Sequence, residues 1–368
     1  MSASRPPPAP RQLPRHMKAP PSRLNGWFAP LRSAELRAGV PTSFSFMGRE
    51  LVAFRDEAGR AHVLDAACPH FGAHLGHGGQ VIQGKLRCPY HKLDFDGSGR
   101  CVGAQTHYDP NTIGHLRARR WDCQEGYGLI WVWSGPDPKK AERRLALDAL
   151  PWEGWTAPIQ NEGLELKGTH PCWLAENIAD LAHLRTVHCW DLEQVVEPPG
   201  EREDGSFGVT VDVRWRLGAR MKDPRFHVLG QWVHSAFRLE VRAVDAGIVV
   251  AEAQLTPQQG GLRVRNIVLI HPLEEGKARL RVLVSVRRQW EGLPARITRA
   301  LTGAGIEELL SPLFLAIGVA DFQSDAQVWE RRKHLENPIP LPGEGAFIAS
   351  RKWSTRFWPE EEGNASGA

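Results

Sequence analysis

Two short loops constrain this chain more than any other feature: Cys68-Pro69-His70 and, seventeen residues on, Cys88-Pro89-Tyr90-His91. Each brings one thiolate and one imidazole. Together they match the ligand set of a [2Fe–2S] cluster with two cysteines on one iron and two histidines on the other. Neutral imidazoles in place of two thiolates lower the negative charge of the cluster, so it accepts an electron more readily than an all-cysteine cluster. A structural zinc site uses the same residue types, but it groups like ligands as C-x2–4-C and H-x3–5-H. Here each loop mixes the two. Glycines at 72, 76, 78, 79 and 84 permit tight turns around the ligands. His74 and His77, close by, read as surface histidines.

At 368 residues the chain is too long for one iron–sulfur module and predicts two domains. Cys101, Cys123, Cys172 and Cys189 are scattered without a framework spacing, which fits a reducing compartment such as the cytoplasm. The net charge of +4 misleads, because residues 1–24 hold Arg5, Arg11, Arg15, Lys18 and Arg23 with no acid. The rest of the chain is therefore close to neutral, and no basic body for nucleic acid is indicated. Seven prolines before Ser22 predict a disordered tail over 1–23. No run of about 18 apolar residues spans a membrane.

From Asn25-Gly26-Trp27 to Trp133 the chain reads as short strands and turns, with Leu51–Phe54, His62–Leu64 and Gln80–Ile82 as examples. Tyr127–Trp133 closes this unit as a buried strand. The boundaries expected are an all-β cluster domain at 24–135, a linker at 136–148, a catalytic domain at 149–358 and a flexible tail at 359–368. The second domain opens with a helical segment near 171–188. Alternation then predicts about five strands, at 207–216, 232–244, 248–255, 262–270 and 280–286. A helical period follows over 294–335, with Pro312 forcing a break or a new first turn. The fold class expected is α+β, an all-β module followed by an antiparallel sheet with helices.

A second metal site is written as N-x2-D-x2-H-x4-H in Asn177, Asp180, His183 and His188. The first three lie three apart, on one face of a helix. His188 is five residues from His183, about 140° away around a helix, so both reach one metal only if the helix ends or bulges between them. Two imidazoles need a carboxylate to complete the 2-His-1-carboxylate face that leaves positions on Fe(II) open. Asp321 and Asp325 fall on the stripe through Phe314, Ile317 and Val328, where an acid is costly unless paired or metal-bound. Spacing alone does not choose between them. Substrate-pocket candidates are Phe226, Val228, Trp232, Phe237, Leu313 and Phe314.

The cysteine–histidine loops followed by the second pattern resemble the oxygenase component of Rieske non-haem iron oxygenases, over roughly residues 24–358. Asn25-Gly26-Trp27-Phe28, Val63-Leu64-Asp65, Tyr127–Trp133 and Arg351-Lys352-Trp353 resemble the branch holding 3-ketosteroid 9α-hydroxylases and cholesterol 7-desaturases. The cluster segment and Asp325-x-x-Val328-Trp329 are also similar to aminopyrrolnitrin oxygenase.

The resemblance implies a Rieske [2Fe–2S] cluster on Cys68, His70, Cys88 and His91, and a mononuclear Fe(II) in a helix-grip catalytic domain. It favours Asp325 over Asp321 beside His183 and His188, because the family's carboxylate ligand stands three residues before such a Val-Trp pair. Asp180 stands one helical step before His183, so its carboxylate is expected to accept from the outer N–H of that ligand; the resemblance makes Asn177 and Asp180 catalytic residues and has Asp180 also reach His91 of a neighbouring subunit in a head-to-tail homotrimer. Electrons would come from an NAD(P)H-dependent reductase or a ferredoxin, since the chain has no dinucleotide fingerprint. The reaction would be hydroxylation, desaturation or N-oxidation by O2 of a hydrophobic sterol-like or aromatic molecule. A Rieske electron carrier without oxygenase activity is the alternative; it needs no second site.

Two departures stand out. Respiratory-type Rieske proteins carry a disulfide whose positions are Ala73 and Tyr90 here, and Lys92-Leu93 replaces the family's glycine or other residue followed by tryptophan.

Overall fold

The computed structural model describes residues 13–105, 108–137, 144–215, 236–255, 261–288 and 305–360. The first half consists of three small antiparallel sheets. Trp27–Arg32, Leu129–Trp133 and Cys123–Gly126 form one. Thr42–Phe46, Arg49–Arg55, Ala61–Asp65 and Arg120–Trp121 form the second. The third carries Gln80–Ile82, Lys85–Arg87, Leu93–Phe95 and Cys101–Ala104, and so brackets the second ligand loop. Tyr127 and Gly128, with φ of 59° and 73°, make the tight hairpin turn that joins Cys123–Gly126 to Leu129–Trp133.

The second half is built on one eight-stranded antiparallel sheet. Its order is Ile159–Gln160, Lys277–Arg288, Leu262–Glu274, Ile248–Gln254, Ala236–Asp245, Phe207–Trp215 and Trp190–Glu201, with Leu164–Lys167 also pairing to Lys277–Arg288. The expected five strands are present within this set. The three missed are the two short ones and Trp190–Glu201, an edge strand exposed along most of its length. With neither face buried, its sequence has no reason to alternate.

The central strands are covered on both sides, which their alternate residues show. Val249, Val264, Val268 and Val282 belong to a core shared with the helices, whereas Ile248, Val250, Ile267 and Leu283 pack on Trp27, Leu129 and Trp131 of the first half. Leu145, Leu147 and Leu150 are buried in that seam, so the expected linker, over its last residues, is part of the core. Apolar side chains at 145, 147 and 150 are the physical reason it does not run free.

The helical segment near 171–188 is two short helices, Trp173–Ala179 and Ala182–Thr186. Asp180, with φ −94° and ψ 93°, breaks the ridge expected through Asn177, Asp180 and His183. Helix Ile306–Trp329 runs through Pro312 without a break. The carbonyl that Pro312 leaves without its N–H belongs to Glu308, an exposed residue where water can serve it. A further helix, Gly345–Ser354, lies against Trp173–Ala179.

Residues 13–23 contradict the expectation of a disordered tail. They include a 3-10 turn, Arg15–Met17, and lie along the second domain. His334 Nε2 donates to the Met17 carbonyl at 3.1 Å, and His170 Nε2 to that of Pro21 at 3.0 Å. Prolines that prevent a helix also preorganise an extended strap with free carbonyls. Residues 1–12 and 361–368 lie outside the described residues.

Burial pushes the His170 imidazole down to about 4 and that of His271 down to about 3. Both fall below the ordinary 6.5, so the unfolded chain binds more protons at acid pH and stability declines as pH falls below 6.5. Each group contributes at most about 1.4 kcal/mol per pH unit between its two values. Urea midpoints at pH 7 and pH 5 test this: the midpoint should drop at pH 5, and His271→Phe, which keeps the stacking on Phe46 (5.6 Å, 10°), should reduce the drop. An unchanged midpoint at pH 5 would show that these rings do not govern acid stability.

Candidate metal centres

The two ligand loops share one backbone plan. Cys68 N–H donates to Ala73 O at 2.9 Å and Cys88 N–H to Leu93 O at 2.8 Å, so each cysteine closes a turn on the residue five ahead. The fourth residue after each cysteine has a left-handed backbone: Gly72 at φ 74° and Lys92 at φ 55°. The departure at Lys92 is thus a lysine where the first loop uses glycine. Its Nζ donates to Pro89 O at 2.9 Å, which helps hold the turn. Leu93, in the other departing position, is buried in the cluster-domain core. Gly79 is required for a different reason: a Cβ there would sit 1.9 Å from Leu75 O.

Cys68 and Cys88 are buried, while His70 and His91 lie above them, partly exposed. Burial, reinforced by neighbouring Cys88, pushes the Cys68 thiol up to about 11. His70 Nδ1 and His91 Nδ1 are 3.2 Å apart. Two nitrogens bound at about 2.0–2.1 Å with a tetrahedral angle would stand roughly 3.3 Å apart, so the pair fits one iron, which leaves the neighbouring Cys68 and Cys88 thiols for the other. Phe71, 72% exposed, stacks on His70 at 4.0 Å, and Tyr90, 65% exposed, lies tilted against His91 at 3.8 Å. All six cysteines are free. Contrary to expectation, His74 is half-buried: Gly76 N–H donates to its Nδ1 at 3.1 Å, and its ring lies 4.1 Å from that of His77.

The second site is assembled from three elements. His183 comes from the short second helix. His188 follows its end, and Cys189 at φ 59° turns the chain into the edge strand. The helix therefore ends between the histidines, as sharing a metal requires. Asp325 projects from Ile306–Trp329. Ligand atoms of His183, His188 and Asp325 all lie within 4.8 Å of one another. His188 Nε2 is 3.2 Å from Asp325 Oδ1, whereas Asp321 Oδ1 is 3.9 Å from the other ring nitrogen. Asp325 is 3% exposed, a buried carboxylate whose company is imidazole and the Asn177 amide, which donates to Oδ2 at 3.3 Å. This donor set fits a mononuclear Fe(II).

Asp180 supports His183 differently from expectation. Its backbone carbonyl accepts from His183 Nδ1, while its carboxylate caps the second helix, accepting from Ala182 N–H at 3.0 Å and His183 N–H at 3.3 Å. The carbonyl is the nearer acceptor because the chain breaks at Asp180. With Nδ1 protonated, Nε2 is left to face a metal. Burial pushes His183 below its ordinary value, which favours the neutral, ligating form.

Beside these groups lies a cavity of about 150 Å³ that opens to the surface. Val209, Leu239, Val264 and Phe314 are among its apolar walls, and Trp190 and Phe237 pack edge to face at 5.7 Å. Phe237 and Phe314 line it as expected. Leu313 does not, and Phe226, Val228 and Trp232 lie outside the described residues. The lining face of the long helix runs through Phe314, Ile317, Gly318, Asp321 and Asp325, whereas Val328 is 53% exposed and Trp329 is buried in its place. Asn266, on the sheet floor, was missed; its signal is one amide among the alternate, otherwise apolar positions Leu262, Val264, Val268 and Ile270.

Comparison with known proteins follows the same division. A model of the Rieske [2Fe-2S] domain matches residues 26–113, and one of the 3-ketosteroid 9alpha-hydroxylase C-terminal domain matches residues 132–358. A probable 3-ketosteroid-9-alpha-monooxygenase oxygenase component from Rhodococcus rhodochrous is 27% identical, over 93% of this chain and 82% of that protein. Cholesterol 7-desaturase of Bombyx mori is 35% identical over 93% and 71%. Among solved structures, NdmA of Pseudomonas putida CBB5 superposes with a TM-score of 0.64 at 18% identity, covering 90% of this chain and 89% of that one. Apo dicamba monooxygenase gives 0.59 at 20% identity, over 90% and 96%.

Proposed function

We propose, from the premise that the chain belongs to the Rieske oxygenases whose catalytic half is the 3-ketosteroid 9α-hydroxylase C-terminal domain, that its substrate is a sterol-like polycyclic compound held beside His183, His188 and Asp325. The observation that supports the substrate class is the cavity lining: apolar along its walls, and ending on the one three-residue metal group found among the described residues.

When bound, the cluster and the Fe(II) supply electron transfer and O2 activation. Cys68, Cys88, His70 and His91 would hold the cluster, with His70 and His91 at the surface where an external donor reaches them. Phe71 and Tyr90 offer that donor an apolar rim. The reading makes the donor a ferredoxin or an NAD(P)H-dependent reductase in the cytoplasm. His183, His188 and Asp325 would hold the Fe(II); Asn177 orients Asp325, and the Asp180 carbonyl orients His183. The apolar walls exclude water from the reacting carbon, and Asn266 gives a substrate oxygen one polar contact on the floor. An electron carrier would have no use for the second site or the cavity.

The test is a titration of iron-loaded protein with sterols, 3-ketosteroids and arylamines, followed by the spectrum of the Fe(II) centre and by product analysis. Perturbation and oxidation by a sterol or steroid support the reading. Response to arylamines alone overturns the substrate class, and iron at the cluster only overturns the oxygenase reading.

The reading extends to a C3 trimer in which the Asp180 carboxylate meets His91 of the next subunit. Half-buried and bonded, among the described residues, to the backbone N–H groups of Ala182 and His183, that carboxylate retains acceptor capacity. Asp180→Asn should keep both metals yet slow single-turnover oxidation of the cluster by orders of magnitude. Wild-type speed with full iron would remove Asp180 from the path.

A further inference from the structure

The strap at residues 13–24 is held by two histidines that no step above uses. His170 lies seven residues before Asn177, and His334 nine after Asp325. They thus flank the two segments that form the metal site, and they sit close enough for His334 to depress the charge on His170. Cys172 N–H donates to His170 Nδ1 at 3.2 Å, which fixes the ring as an Nε2–H donor to Pro21 O. His334 donates to Met17 O. The strap is also held at both ends: near its start Arg15 lies over Trp358, and past its end Leu24 is buried and Asn25 N–H donates to Phe357 O at 2.7 Å.

Between the histidines and the site lies a buried ionic cluster. Glu176, next to Asn177, meets Arg332, two residues before His334, and Arg351 of the last helix at 2.9 Å. A shift of either histidine therefore bears on the Asn177–Asp325 contact through two packed, charged neighbours. Strain passes through such close-packed contacts because there is little slack to absorb it.

From this juxtaposition we infer that His170 and His334 are positioning residues for the mononuclear centre, acting by clamping the N-terminal strap across the two segments that hold it. The inference rests on the proposed iron site at His183, His188 and Asp325. The strap donates no metal ligand; it limits how far the segment ending in Asn177 and the segment following Asp325 can part. Coupling of this kind is reciprocal, so iron at the site must also stabilise the strap.

Two measurements on the full-length protein test it. The first compares His334→Leu, which removes the donor, with His334→Gln, which keeps one near the Nε2 position. His334→Leu should release mononuclear iron about tenfold more readily, within the range for groups that orient metal ligands, while the Rieske EPR signal is unchanged. His334→Gln should restore retention. Wild-type retention in His334→Leu, or loss of both metals in parallel, overturns the inference. The second uses wild-type protein, so it does not depend on a variant folding. Loading Fe(II) at the mononuclear site of cluster-replete protein should slow hydrogen exchange at Met17, Lys18 and Asn25, whose amides donate within or from the strap. Exchange indifferent to iron that binds normally refutes the clamp alone. Failure of wild type to bind a mononuclear iron refutes the site itself.

Discussion

Asp325→Ala is expected to empty the mononuclear site and abolish turnover while leaving the Rieske spectrum intact. The carboxylate is 3% exposed, lies 3.2 Å from His188 Nε2 and is held by Asn177 from the other side. Removing it leaves two neutral imidazoles, which do not make a 2-His-1-carboxylate face. Asp321→Ala should be milder, at about 10- to 100-fold in iron affinity or activity, because Asp321 approaches the His188 nitrogen on the far side at 3.9 Å. Iron content, Rieske EPR and turnover on the same preparations settle it. If Asp321→Ala empties the site while Asp325→Ala keeps its iron, the two acids exchange roles.

The largest effect on stability is expected at Glu176. It is 4% exposed, and its carboxylate joins Arg351, 5% exposed, and Arg332, whose guanidinium also lies over Trp173 at 5.1 Å. Glu176→Ala leaves a buried guanidinium without its counter-charge, which costs about 3–5 kcal/mol. For a chain of this size that corresponds to a fall in Tm of about 4–6 °C. Glu125→Ala is the natural control. Its bidentate pair with Arg55, at 2.7 and 2.8 Å, is far more open to solvent and should contribute about 1 kcal/mol or less. Equal losses of Tm in the two variants would show that burial is not what makes the Glu176 cluster matter.

The parts of the molecule that are legible in sequence are those where chemistry and period coincide. The cysteine–histidine loops announce a cluster because each ligand type appears in the order its iron needs. The strands at Phe207–Trp215 and Lys277–Arg288 alternate because one face meets the helices. Elsewhere long-range packing decides. Trp190–Glu201 has no buried face to impose a pattern. The proline-rich strap looks like a disordered tail until His170 and His334, some 150 and 320 residues away, meet its carbonyls. The break at Asp180 lies within an unremarkable helical period; it follows from the carboxylate capping a new helix, which local propensity does not force. Asp325 and Asp321, four residues apart on one face, are not separable by period; the Val328-Trp329 pair favours Asp325, and the distances to His188 distinguish the two acids.

The seam where Trp27, Leu129 and Trp131 meet Ile248, Val250, Ile267 and Leu283, with Leu145 and Leu147 wedged in, bears on how such enzymes can be recombined. The electron-accepting half is not a detachable cassette. A chimera cut near residue 135 would bring a foreign apolar surface against a sheet shaped for this one and would strand the leucines between them. The other face of that sheet is a different matter. Val249, Val264 and Val282 point away from the seam, into or beneath the substrate cavity. Substrate range can therefore be exchanged by substitutions on that face alone, with the path of electron entry left untouched.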